Sequence, residues 1–189
     1  MKTWIISDTH FDHEMMVKDG HRPEGYEDLI KQNMEAVLQA GDLLIHLGDV
    51  SLGGSEIDSH NNRWFGISFW NNFRILVKGN HDKRSDRWHY NTGWDTVCKS
   101  LLIDKYGLRI LFSHKPRTDR GYFDINIHGH LHDSDHRTKE PEISSRLTNK
   151  HELIALETNG YKPMNLKTIV SQHLEKREIF NKKGYRITI

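Results

Sequence analysis

The chain holds one cysteine, Cys98, among 189 residues, so no disulfide forms within it and its stability rests on packing. Cys98 lies in an apolar stretch and reads as a small buried hydrophobe. There is no low-complexity linker and no internal repeat. A chain of this length suits one domain, 1–189, with a sizeable core. No apolar run is long enough to span a bilayer, and the one after Met1 is too short for a signal peptide. The expectation is a cytoplasmic, reducing setting with no membrane partner. Net charge is only +1, so no global field draws the protein onto a polyanion. Affinity for nucleic acid would need a local basic patch.

Histidine is plentiful by contrast, at 14 residues, and several fall in short motifs with aspartate or asparagine. In chain order these are Asp8-Thr9-His10, Gly48-Asp49, Gly79-Asn80-His81-Asp82, Ser113-His114 and Gly129-His130-Leu131-His132. Each follows a short apolar run that reads as a strand. Carboxylates, imidazoles and one amide, without thiolate, suit divalent manganese, iron, zinc or nickel. Two such ions about 3.5–4 Å apart clamp an in-line displacement at phosphorus, so the motifs point to phosphate-ester hydrolysis.

The patterning predicts a first strand over Thr3–Ser7, an irregular loop to Gly25 and an amphipathic helix over Tyr26–Ala40 with Leu29, Ile30, Met34, Val37 and Leu38 on one face. Strands follow at Asp42–Leu47 and Phe73–Val77, with a helix from Ser55 to about Phe65 between them and a short helix within Lys83–Tyr90 after them. Thr96–Asp104 and Leu108–Ser113 read as a hairpin turning at Tyr106-Gly107. Further strands are expected at Phe123–His128, Glu152–Leu156 and Tyr185–Ile189. A surface loop over Asp133–Lys150 and a helix from Leu166 to about Ile179, capped by Asn165, complete the reading. Alternating strands and helices in the first half predict parallel pairing, and the second half reads as antiparallel. The fold class is α/β with two sheets packed together and helices outside, and the motifs gather at strand ends, where open α/β sheets bind ligands.

A carboxylate has lone pairs enough to bridge two cations, and Asp49, after a glycine that permits a sharp turn, is the better bridge candidate. Asp8 and His10, two apart, would point to one side of an extended segment; His130 and His132 repeat that spacing. Asn80 offers a neutral oxygen, which keeps the ions' charge high and lets bound water ionise near pH 7 as the nucleophile. His81 stands beside a ligand without needing to be one, and can protonate the leaving oxygen. Asp82 can hold its other ring nitrogen.

The residues quoted resemble the calcineurin-like metallophosphoesterases, over Thr3 to about Lys162. The opening Ser7-Asp8-Thr9-His10-Phe11-Asp12-His13, with His21-Arg22-Pro23, His128-Gly129-His130 and Tyr161-Lys162-Pro163, resembles a compact bacterial and bacteriophage branch of that superfamily. The resemblance implies a four-layer sandwich, two central mixed β-sheets flanked by helices. It implies one ion on Asp8, His10, Asp49 and His132, and another on Asp49, Asn80, His114 and His130. It gives His81 the role of catalytic acid or transition-state contact, supported by Asp82. The family's protein phosphatases follow Gly-Asp with Asp-Arg-Gly; here Val50-Ser51-Leu52-Gly53-Gly54 stands instead. The absent arginine favours a small phosphoester, a phosphodiester above all, over a phosphoprotein.

Other residues carry two readings each. His13 and Arg22 are candidate substrate contacts, Arg22 because its planar fork suits phosphate, with a loop residue and a surface arginine as the plainer alternatives. His128 reads as a partner behind a ligand or a solvent-facing strand residue; His46 as such a partner or as packing. Lys115, Arg117, Arg120, Arg137, Lys139, Arg146 and Lys150 are solvated charges or a basic rim. If they converge on the metals, a nucleotide or nucleic-acid substrate follows. Trp64, Phe65, Phe69 and Trp70 are core, or else a stacking platform for a base or a dimer face. The expected protein is a dinuclear phosphodiesterase with two divalent ions, manganese in vitro. Phosphomonoester hydrolysis, a nuclease and a non-catalytic scaffold stand as alternatives.

Overall fold

The structure is a computed structural model that describes residues 1–19, 21–52, 72–119, 121–133 and 141–182. Among these, nine strands form two mixed sheets. The first comprises β1 (Thr3–Ile6), β2 (Leu43–His46), β3 (Phe73–Val77), β4 (Thr96–Cys98) and β9 (Met164–Asn165), in the order β4-β3-β2-β1-β9. Its strands are parallel except β9, which runs antiparallel to β1. The second comprises β5 (Ser100–Lys105), β6 (Leu108–Ser113), β7 (Ile125–His128) and β8 (His151–Leu153), side by side in that order.

Period-two alternation builds both layers of core. Ile5, Ile45, Ile75 and Val77 of the first sheet pack with Ile110, Phe112, Ile125 and Ile127 of the second. Their neighbours Ile6, Leu44 and Leu76 pack on the other face with Ile30 and Met34 of the helix α2 (Tyr26–Val37). Burying one such side chain contributes about 1.5–3 kcal/mol. Being covered on both faces is why these strands read as continuous apolar runs.

The remaining helices are α1 (Met15–Lys18), α3 (Asp86–Asn91), α4 (Pro141–Ser144) and α5 (Leu166–Lys182). Ser85 caps α3 by accepting from the Trp88 N–H at 3.2 Å, and Asn165 caps α5 by accepting from Lys167 N–H at 3.0 Å. Leu166, Ile169 and Val170 bury α5 against the inter-sheet core. His173, fully buried on α5, bonds Glu152 of β8 at 2.9 Å. No helix among the described residues is long and apolar enough to cross a membrane.

Several expectations are corrected. The stretch 96–104 is two strands, broken at Lys99, and they belong to different sheets. Its alternation runs on unbroken, but Val97 packs on the α2 side while Leu101 and Ile103 pack between the sheets. The second half is mostly parallel: only β5–β6 is antiparallel, and β6, β7 and β8 run together. Their described connections are largely irregular, so no strand–helix rhythm announces parallel pairing. The loop before α2 contains α1, α2 stops at Val37 where Leu38 turns extended, and Leu29 is 38% exposed. The late strand is His151–Leu153, followed by a 3₁₀ turn at Leu156–Thr158. The expected helix from Ser55, the cluster Trp64, Phe65, Phe69 and Trp70, and the strand at Tyr185–Ile189 lie outside the described residues.

Candidate metal centre

β1, β2 and β3 are mutually parallel, as are β6 and β7, so their carboxyl ends lie on common edges. Each delivers one motif just past its last residue: Asp8 and His10, Asp49, Asn80, His114, then His130 and His132. Five of these seven residues adopt positive φ: Asp8 (53°), His10 (45°), Asp49 (55°), His130 (70°) and His132 (46°). Such backbone costs about 1–3 kcal/mol per residue and persists only where its surroundings hold it. It also corrects the expectation of an extended Asp8–His10 segment. The chain coils there, and it is the coil that brings the two side chains together.

Four contacts between loops hold these turns. A Cβ on Gly79 would stand 2.1 Å from Asp49 Oδ1, and one on Gly129 would stand 1.9 Å from Ser7 Oγ and 2.3 Å from Asp8 Oδ2; neither loop could close with any other residue. Asp82 accepts three backbone N–H bonds, from Asp49 (2.7 Å), Gly79 (2.7 Å) and Val50 (3.1 Å). His46, fully buried, accepts from Gly48 N–H at 3.0 Å and bonds Thr9 Oγ1 at 3.0 Å, tying the first loop to the second.

The donor atoms gather in two groups. Asp8, His10 and His132 form one, and Asp49, His114 and His130 the other, each with ligand atoms mutually within 4.8 Å. Asp49 Oδ2 lies between them, 3.8 Å from His10 Nε2 and 3.3 Å from His114 Nε2. Asn80 Oδ1 stands 3.0 Å from His114 Nε2, and His130 Nδ1 stands 3.2 Å from the same atom. With His114 protonated only on Nδ1, these atoms are lone-pair donors turned toward one another, an arrangement that a cation would stabilise. Asp8 splits its oxygens: Oδ2 accepts from Ser7 Oγ (2.5 Å) and His130 N–H (3.0 Å), while Oδ1 has no hydrogen-bond partner among the described residues. Both ring nitrogens of buried His10 likewise lack one. Buried polar atoms left so call for an ion or another partner, and the donor set fits divalent metal. The two groups are consistent with a dinuclear metal site.

Second partners orient the rings. His114 Nδ1–H donates to Leu47 C=O at 2.9 Å, which turns Nε2 inward. Burial works against charging this ring, but its bond to Asp49 and the carboxylates of Asp8 and Asp49 outweigh that and raise its pKa to about 9. Asp49 is pushed the other way: burial opposes ionisation, and His114 and His10 hold it well below the carboxylate range. His132 Nδ1 donates to Glu157 Oε1 at 2.8 Å. Burial penalises the Glu157 carboxylate as well, yet His132 and Arg22 bring it down to about 2.

Arg22 is placed differently from a substrate contact. Its side chain has 0% exposure. It donates to Glu157 Oε1 through Nε (2.9 Å) and Nη2 (2.7 Å), to Asp8 C=O (2.7 Å) and to Thr9 C=O (3.0 Å). Asp82 does not orient His81 either, because both its oxygens serve the backbone amides above. His81 instead donates its own N–H to Asp49 Oδ1 at 2.8 Å and keeps a third of its side chain exposed, with Nε2 3.9 Å from Asp49 Oδ2. His13 lies beside it, ring centroids 6.4 Å apart, and lines a cavity of about 230 Å³ with Met15, Met16, His21 and His132. His128 is buried, and its Nδ1 bonds the neighbouring Gly129 C=O at 3.0 Å. Of the expected basic rim, Lys115 and Arg117 flank His114, Lys150 lines a groove at the Tyr106-Gly107 end of the second sheet, and Arg120, Arg137 and Lys139 lie outside the described residues. Glu157 was missed by sequence reasoning. A lone glutamate 135 positions from Arg22 leaves no local signal.

Comparison with known proteins gives the family. A protein of unknown function from Aquifex aeolicus superposes with a TM-score of 0.69 at 27% identity, over 90% of this chain and 98% of that one. The uncharacterized protein MJ1445 of Methanocaldococcus jannaschii is 27% identical over 179 residues, 89% of each chain. The calcineurin-like phosphoesterase model matches residues 1–182. This chain, which brings two histidine–aspartate clusters together at the carboxyl ends of its strands, therefore belongs to the calcineurin-like phosphoesterase family.

Proposed function

We propose that the protein is a dinuclear metal-dependent phosphodiesterase. The observation that carries this is Asp49 Oδ2, one carboxylate oxygen facing both ligand clusters, 3.8 Å from His10 Nε2 and 3.3 Å from His114 Nε2. Asp8, His10, Asp49 and His132 would hold one ion, and Asp49, Asn80, His114 and His130 the other. Two ions there would supply Lewis-acid polarisation of phosphoryl oxygens and would acidify bound water.

The chain's own residues do the rest. His81, partly exposed beside Asp49, donates a proton to the leaving oxygen. Glu157 and Arg22 set the orientation of His132 and clamp the Asp8–Thr9 backbone. Asp82 fixes the Asp49 and Gly79 loops against each other. The cavity at His13, Met15 and Met16 receives one ester substituent. Diester is preferred over monoester because no arginine follows Asp49 to grip a phosphate dianion. The compact-branch reading rests on the Ser7–His13 run.

Manganese is the first metal to test, with iron, zinc and nickel beside it. With manganese added, bis(4-nitrophenyl) phosphate should be hydrolysed faster than 4-nitrophenyl phosphate, and Asp49→Asn should lose both ions together. Failure to hydrolyse either ester with any of the four metals would reject the enzyme reading and favour a scaffold.

A further inference from the structure

The catalytic face carries a basic groove that the ligand set does not use. It measures about 440 Å³ and opens on the second cluster, since Asn80 and His114 form part of its wall. Lys78, Lys99, Lys115 and Arg117 form much of the remainder, and no carboxylate lines it among the described residues. The fold assembles them from both sheets. Lys78 follows β3, Lys99 occupies the crossover from β4 to β5, and Lys115 and Arg117 follow β6. Two of the cations have partners: Lys78 reaches Asp86 Oδ1 at 3.1 Å and Arg117 pairs with Asp119 at 2.5 Å. Lys99 and Lys115 are exposed, and among the described residues their amines make no ion pair. With net charge near neutral, these two lysines, beside two further cations held by carboxylates outside the groove wall, make a local field rather than a global one.

We infer that this groove seats a second phosphate of the substrate, so that the enzyme acts on substrates carrying at least two phosphate groups, an oligonucleotide or a nucleoside polyphosphate. The inference rests on the phosphoesterase reading above. A phosphate held at the ions places its neighbour beyond the Asn80–His114 wall, where Lys99 and Lys115 neutralise it. Each phosphate so neutralised releases counterions, and binding then weakens with salt by about 0.7 in log–log slope for single strands. Apart from His114, which turns to the second cluster, no aromatic ring lines the groove among the described residues, so it reads charge and spacing and not base identity.

The test is equilibrium binding to the full-length, manganese-loaded protein, with both ligands carrying phosphorothioate in place of phosphate so that no turnover intervenes. A fluorescein-labelled single-stranded hexanucleotide and a labelled ADP are titrated into wild type, K99E/K115E and the charge-matched control K162E/K167E. At least tenfold weaker binding by K99E/K115E alone is expected, with the oligonucleotide salt slope reduced by about 1.4. A loss confined to the oligonucleotide identifies a polynucleotide site, and a loss confined to ADP a nucleotide site. Equal affinities for wild type and K99E/K115E overturn the groove while leaving the phosphoesterase reading intact. That reading is judged separately by hydrolysis of bis(4-nitrophenyl) phosphate, a one-phosphate ester, by the wild-type protein and by K162E/K167E.

Discussion

Glu157 holds His132 through a 2.8 Å bond to Nδ1, and the same oxygen takes two donors from the fully buried Arg22. The glutamate thereby sets the tautomer of a ring that faces Asp8 Oδ1 at 3.7 Å through its other nitrogen. It also neutralises a guanidinium that grips the backbone of the first ligand loop. Glu157→Gln should keep the fold and weaken metal affinity about 10–100-fold, as loss of such an outer partner does; calorimetric manganese titration reads it. Glu157→Ala, which strands a buried charge, should cost about 3–5 kcal/mol in urea unfolding. Unchanged metal affinity in the glutamine variant would remove the orienting role.

His81 lies against the bridge candidate but outside both ligand clusters. His81→Ala should lower kcat about 10²–10⁴-fold and retain two ions per chain by elemental analysis. If the ions leave with the ring, His81 is a ligand and the acid has to be sought elsewhere.

Gly129 and Gly107 separate close approach from backbone strain. Gly129→Ala drives a methyl group to 1.9 Å from Ser7 Oγ and 2.3 Å from Asp8 Oδ2. Both metal content and stability should fall, the latter by about 1–3 kcal/mol. Gly107, at φ +74°, has open space around it; Gly107→Ala should cost about 1 kcal/mol of strain and leave metal binding untouched. Equal metal loss in the two would mean that the Gly129 contact has no special part.

Acid stability should depend on Glu152. Burial raises its pKa, but the bonds to His173 and Lys176 outweigh that and leave it below 4.5. The folded value is therefore below the unfolded one, and the carboxylate's contribution is complete above the unfolded value and lost as pH falls through the folded value. Glu152→Gln should be less stable than wild type at pH 6 in EDTA, and the gap should close toward pH 3. A gap independent of pH would show that the His173 contact acts by packing alone.

The β1, β2 and β3 positions and the five motifs were legible because strands buried on both faces are written as apolar runs and the motifs follow them at once. Phe73–Val77 was read to the residue. The break at Lys99 was not legible, since alternation continues across it and only the choice of core on either side divides the strand. Parallel pairing of β6, β7 and β8 was hidden because no regular strand–helix rhythm joins them.

Residue types and spacing alone determined that this chain carries oxygen and imidazole donors at strand ends, because ligand chemistry and apolar runs are local properties. Tertiary structure alone decided that the donor loops coil at positive φ, that Arg22 is buried against Glu157, and that Asp82 serves backbone amides and not His81. Those outcomes depend on which distant loops meet at one edge, and on buried groups finding partners, neither of which any short stretch of chain contains.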